Sequence, residues 1–457
     1  MSQPVTASQK WSLGAGFFAT SFVSQSLAVL AVPFYQMTLG VDPFLLSIAL
    51  IVPALLASLL NPWVGQLSDH WVSRWGRRRP FILLAAWLCA LCYGLVWMVP
   101  ENWSANAQLV YFAATSLLLY CAFVLLNVPM TCLSFEISNE PQARLALMGF
   151  TTYFVKLGTL LYQWLFPLAQ LALFSSVFLG IKVVGWVVAV LVIGGLGMLP
   201  ALFCRERQFV KQTRTPLRLA DSWRLIRADK SFAVILLICV LQLAGGAFSA
   251  SMDYYLLVYF VHAGDLVQGS LDKGWLSTAY TVLGMLAIPL LIKGAGRWGK
   301  ERVLQWVFLL TLVAGLAKWY VFVPDIGAWL MLDALLGTVV WSAMACLIPA
   351  MIADISDRHF QQSGHAAEGR YVAVYMLVVN VSAALAVLAA GLSLNLTGFD
   401  AILGSQQSPA SLTNMRLVLS LGTAAFSLLA WYLVRYHLHP RALLRSVKAP
   451  NCANIGD

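Results

Sequence analysis

The chain has 457 residues, 60% of them hydrophobic and 11% charged, with a formal net charge of +10. A soluble domain carries about 25% charged residues, so this composition excludes a soluble protein and leaves a polytopic helical membrane protein, whose backbone in lipid must satisfy itself within each span. The eight cysteines form no disulfide or metal framework: most sit inside apolar runs, and the CxxC spacing of Cys89 and Cys92 has no histidine or second pair beside it.

Apolar runs of about 20 residues predict twelve spans, near 11–36, 43–66, 80–99, 107–131, 146–170, 179–203, 232–262, 275–293, 301–323, 327–352, 369–394 and 415–436. A short polar tail, Met1 to Lys10, precedes the first, and no cleavable leader is expected. The predicted organisation is an N-terminal six-helix bundle (1–203), a central loop (204–231), a C-terminal six-helix bundle (232–437) and a tail (438–457). Within the central loop, "RLADSWRLIRADKS" reads as an amphipathic helix lying on the membrane surface or as a plain connector.

The basic residues sort by loop. Arg74, Arg77, Arg78 and Arg79 follow span two, a run from Arg205 to Lys230 fills the central loop, Lys293, Arg297, Lys300 and Arg302 follow span eight, and more close the chain. The alternate loops carry mainly acids, such as Asp42, Glu101, Asp265 and Asp400. The positive-inside rule then places both termini in the cytoplasm, in a plasma or bacterial inner membrane. The charge is topological, and no nucleic-acid partner is expected.

"SRWGRRRP" (Ser73–Pro80) and "GRWGKERV" (Gly296–Val303) repeat one basic turn 223 residues apart, Gly76 to Gly299, each after the second span of its half. "FEISN" (Phe135–Asn139) and "ADISD" (Ala353–Asp357) echo each other after the fourth span, 218 residues apart from Glu136 to Asp354, and each precedes an arginine, Arg144 or Arg370. Together they predict two parallel six-helix repeats around a central cavity. Asp69, Arg74, Arg77, Glu136, Arg144, Arg297, Asp354 and Arg370 are the expected cytoplasmic gate, where acids meet arginines as the inner mouth shuts.

At the stretch from Gly65 to Arg79 the chain resembles the major facilitator superfamily, whose signature loop after helix two reads G-x-x-x-D-x(4)-R-x-G-R-[RK]. "NVPMTCLSFEISNEPQARLALMGFTTYF", "YYLLVYFV" and "MIADISDRHFQQSGHAAEGRYVAVY" are similar to the glycoside–pentoside–hexuronide:cation symporters, the melibiose permease-like family. "GRRRPFI" is also similar to proton-coupled sucrose transporters. The resemblance implies an MFS fold and a cation-coupled symporter of a sugar or glycoside, with no enzymatic activity. It also implies aspartates where this chain has Ala57, Asn61, Asn127 and Ala19, and a lysine where it has Asn380. A sodium site at those positions is therefore not expected, and the proton is the favoured coupling ion.

Charge inside the bilayer costs at least a few kcal/mol. Lys156, in span five, is the strongest candidate, with Asp253 of span seven as its expected partner and a proton exchanged between them. Asp333, in span ten, either joins them or reaches the outer headgroups, while Lys318 and Lys182 are expected to snorkel to the membrane boundary. Gln25, Asn127, Gln163 and Asn380 offer amides to a hydroxylated ligand, with Tyr254 beside them and Trp341 as a stacking platform. No nucleophilic triad or phosphate-binding loop is present, and no cofactor or metal is expected. The expected partners are a small-molecule substrate, a proton rather than sodium, and membrane lipid, around a monomer. Two other readings stay open: a carrier of lysophospholipid or another amphiphile on the same fold, and a non-transporting sensor or assembly factor.

Overall fold

The structure, a computed structural model, describes residues 6–71, 73–137, 141–204, 229–363, 368–400, 403 and 406–438. Some side chains within these helices, those of Asp69, Glu136, Arg144 and Arg370 among them, lie outside the description, as does the predicted helix of the central loop. The described chain is helical: α1 (Ala7–Thr38), α2 (Pro43–Ser58), α3 (Asn61–His70), α4 (Arg79–Val96), α5 (Ala105–Glu136), α6 (Pro141–Tyr162), α7 (Val177–Phe203), α8 (Lys230–Val261), α9 (Leu266–Trp298), α10 (Lys300–Val321), α11 (Met331–Ser363), α12 (Glu368–Leu396) and α13 (Pro409–His437). Ten of the described helices are long and apolar enough to cross a membrane, and α2 is a shorter apolar helix.

Helix starts follow local chemistry. Asp42 accepts from the Leu45 N–H at 2.9 Å, Asp229 from Ser231 and Phe232, and Ser408 from Ser411. Each satisfies amides that the first turn leaves without a partner. Gly76 and Gly299, the matched glycines of the repeated turn, have φ of 108° and 89°, a conformation that glycine adopts without steric cost. Predicted span two is broken at Leu59–Leu60, whose amides bond back three residues to Leu56 and Ala57. Pro62 supplies no N–H to continue the ladder, so the span divides into α2 and α3. Pro167 sits just beyond a similar break at Gln163–Trp164, after which Leu165–Ala169 forms one more short helix. α1 carries π-helical turns at Phe22–Ser26 and Val32–Thr38, and α8 carries them at Leu241–Gly246 and Leu257–Val261. α7 and α13, the last spans predicted for each half, carry one each.

The chain divides into two compact units. The first comprises Met1–Thr213, His262–Thr278 and Gly391–Gln407; the second comprises Arg214–Val261, Ala279–Ala390 and Ser408–Asp457. The first is centred on Leu27, Tyr35, Tyr93, Trp97, Phe112 and Phe166, and the second on Phe232, Leu304, Phe308, Ile348 and Tyr371, all buried.

Candidate functional site

In the second unit, Lys318 occupies the last turn of α10 and Asp333 the first turn of α11. Each charge therefore sits at the helix end whose dipole favours it. They meet at 2.6 Å with side chains 5% and 1% exposed. Tyr280 of α9 donates its hydroxyl to the second carboxylate oxygen at 2.9 Å, and the Phe322 ring lies 5.3 Å from the ammonium. This corrects the expectation that Lys318 snorkels outward. The short connector between α10 and α11 turns the last turn of one helix toward the first turn of the next, so the lysine finds a carboxylate inside the bundle. Asp333 likewise does not reach outward; it is 2% exposed.

The α9–α11 contact is built to hold the phenol. At Gly337, one turn after Asp333, a Cβ would lie 2.5 Å from the Tyr280 hydroxyl. Thr338 donates to the Tyr280 carbonyl at 2.7 Å and Ser342 to that of Gly284 at 2.8 Å. Small and hydroxylated residues bring the two helices close. Asp253 of α8 is buried at 8% exposure, and Tyr280 lies within electrostatic reach of both it and Asp333. Gln242 of the same helix is buried and bonds Ser427 of α13 at 3.5 Å, a helix–helix contact. Tyr254 is half-buried, while Trp341 and Asn380 are exposed.

In the first unit, Lys156 is half-buried on α6 and makes no hydrogen bond or ion pair within its own unit among the described residues. α6 packs on α1: Gly158 rests against Ser21 and Phe18, and Tyr162 meets Phe22 edge-on at 5.9 Å. Gln25 lies one turn beyond Ser21, exposed, within a π-helical turn. Asn127 on α5 and Gln163 in the break after α6 are half-buried. The expected Lys156–Asp253 pair belongs to two separately described units.

The first unit also contains segments from late in the chain. Trp164 donates its indole N–H to Thr278 at 2.9 Å and meets Trp275 edge-on at 5.0 Å. Ser270 donates to Gln170. Asn395, at the end of α12, donates to the Asp42 carboxylate at 2.9 Å. Gly391 packs so closely on α2 that a Cβ would lie 2.8 Å from the Pro43 carbonyl and still nearer Ser47. Thus the start of α9 joins the segment that follows α6, and the end of α12 joins the start of α2. Sequence reading found none of these contacts.

At the basic turns themselves, Arg74 is exposed, Arg77 is half-buried, and Arg297 is exposed with its guanidinium 5.4 Å from the Trp298 ring. Asp354 takes Lys300 at 2.7 Å, and Lys300 also donates to the Ala350 carbonyl at 3.1 Å. Lys300 occupies in the second Arg-Trp-Gly turn the place that Arg77 holds in the first, which is the signal that identifies it. Asp69, Glu136, Arg144 and Arg370 fall outside the described side chains.

A family model described as MFS/sugar transport protein matches residues 12–439. The putative glycoside/cation symporter YagG of Escherichia coli (strain K12) is 22% identical over 384 residues, covering 83% of this chain and 81% of its own. The isoprimeverose transporter of Lactiplantibacillus pentosus is 21% identical over 370 residues, covering 79% and 74%. Among solved structures, a bacterial homologue of the human lysosomal transporter Spinster, inward-facing and occupied, superposes with a TM-score of 0.69 at 16% identity, covering 98% and 100%. At that identity the likeness establishes a major facilitator fold and nothing finer.

Proposed function

Because this chain belongs to the MFS/sugar transport protein family, we propose that it is a secondary active transporter that imports a sugar or glycoside together with protons by alternating access. In this reading twelve spans form two repeated six-helix halves in a bacterial inner membrane, with both termini cytoplasmic. Lys156, Asp253 and Asp333 carry the coupling. Gln25, Asn127, Gln163, Tyr254, Trp341 and Asn380 meet the substrate, and the paired basic turns gate the inner mouth.

The observation that carries this reading is the ion pair Lys318–Asp333, held by Tyr280 within membrane-spanning helices and with Asp253 in electrostatic reach of the same phenol. Ionisable groups in a bilayer interior are expensive and mark transport pathways. Relatives named as a glycoside/cation symporter and an isoprimeverose transporter support the substrate class. Ala57, Asn61 and Asn127 stand where sodium-using family members carry aspartates, which supports the proton. The small contacts of Trp164, Asn395 and Gly391 support an outer gate, since rings, one hydroxyl and one amide part while the half-exposed Asp42 carboxylate keeps its bond from the Leu45 N–H.

A thermal-shift screen of the purified protein tests the substrate class, using glycosides, uronates and lysophospholipids at two pH values, with and without sodium. A glycoside that raises the unfolding midpoint supports the proposal. A shift with lysophospholipid alone transfers the fold to an amphiphile, and sodium-dependent stabilisation replaces the proton.

A further inference from the structure

The first unit contains a cavity of about 430 Å³ between α1, α6 and α7, a volume typical of ligand sites. Its α1 wall runs from Ser8 to Phe18, and Phe154, Leu157, Leu196, Leu199 and Phe203 complete it. Apart from two serines at one end, the lining is apolar and aromatic.

Three observations identify what fills it. The first is length: ten residues of α1 rise about 15 Å, half of a hydrocarbon core of about 30 Å, so the groove is one leaflet deep. The second is its rims. Leu157 is 48% and Phe203 52% exposed, so the groove opens at the protein surface. At its serine end Trp11 is 62% exposed and meets Phe150 and Phe154 edge-on at 5.5 Å, the placement of a tryptophan at the headgroup level. The third is charge. Arg79 places its guanidinium at the end of α7, donating to the carbonyls of Ala201 and Leu202 beside Phe203. A guanidinium carries five N–H donors in a fork that suits phosphate.

We propose that this groove binds one anionic glycerophospholipid of the cytoplasmic leaflet, an acyl chain lying along α1 and the phosphate at Arg79. The proposal rests on the membrane orientation given above and is independent of what is transported. Basic clusters at the cytoplasmic ends of membrane helices bind anionic headgroups. Ala15, which lines the groove, presents only a methyl to the chain. A Cβ at Gly14 would lie 2.7 Å from the Phe154 ring, so α1 and α6 pack closely there.

Native mass spectrometry of the protein, released from detergent after exchange into defined mixtures of phosphatidylglycerol and phosphatidylethanolamine with identical chains, provides the test. The expected result is one retained lipid per chain, preferentially phosphatidylglycerol. Ala15→Phe and, as a second filling variant, Leu157→Trp lose that lipid, whereas Arg79→Gln keeps a lipid and loses the preference. Retention unchanged in both filling variants overturns the groove. Equal retention of both headgroups by the native protein overturns the anionic preference assigned to Arg79. A native protein that retains no lipid overturns both. Glycoside uptake by a filling variant separates this result from the transport proposal, because uptake does not require the groove.

Discussion

Lys318 and Asp333 close on each other at 2.6 Å from the last turn of one helix to the first turn of the next, with Tyr280 bonded to the far oxygen of the carboxylate. Removing one member of a buried pair strands the other, which costs about 3–5 kcal/mol, while replacing both with apolar residues costs far less. Lys318→Ala or Asp333→Asn is therefore expected to lower the thermal unfolding midpoint sharply, and Lys318→Met with Asp333→Leu to restore much of it. A double variant that transports normally would show that the pair serves the fold and leave coupling to Lys156 and Asp253.

Gly337→Ala tests how closely the phenol is held. Alanine gains up to about 1 kcal/mol over glycine in a helix, but the added methyl meets the Tyr280 hydroxyl at 2.5 Å, and overpacking costs about 1–3 kcal/mol. The ring cannot swing aside without leaving Asp333. Net destabilisation and reduced uptake are expected, and Tyr280→Phe should reproduce the loss of uptake with a smaller loss of stability. Uptake by Gly337→Ala at the native rate would show that the hydroxyl contact is dispensable.

The outer contacts predict a different phenotype. In Gly391→Val the new side chain collides with Ser47 and the Pro43 carbonyl. That burden of about 1–3 kcal/mol falls on the state in which α12 meets α2. Uptake should fall by about tenfold or more while the folded yield holds. A cysteine at Thr278, otherwise covered by the Trp164 indole, should label faster with an impermeant maleimide added outside. Labelling at the native rate would contradict the gate.

The Lys300–Asp354 pair is half-exposed, with side chains 31% and 54% accessible. Such pairs contribute about 0–1 kcal/mol, so Asp354→Asn should leave the unfolding midpoint nearly unchanged. As part of an inner gate it should alter the transport rate all the same. A variant that moves neither quantity would make the pair a surface contact only.

Much of the architecture is legible in the sequence. Apolar runs locate the helices, and the two Arg-Trp-Gly turns each place a glycine at positive φ, Gly76 and Gly299. The breaks at Leu59–Leu60 and Gln163–Trp164 were legible in Pro62 and Pro167, although hydropathy, which ignores backbone donors, ran both spans straight through. Lys318 was misplaced for a related reason. Position along a span reports depth, and depth near the outer end suggests snorkelling. Whether a carboxylate waits there depends on how the next helix turns back. Contacts such as Trp164–Thr278 and Asp42–Asn395 join residues 114 and 353 positions apart. No periodicity within either segment encodes such a pairing.

In the proposed mechanism an imposed proton gradient drives solute uphill through groups in the membrane interior. Accumulation of a labelled glycoside in proteoliposomes tests it most directly, with an inward proton gradient or an inward sodium gradient, in the native protein and in Lys156→Ala and Asp253→Asn. The expected result is accumulation under the proton gradient alone, lost in both variants, with downhill exchange retained by Asp253→Asn. Accumulation driven only by sodium, or undiminished proton-driven accumulation in both variants, would contradict it.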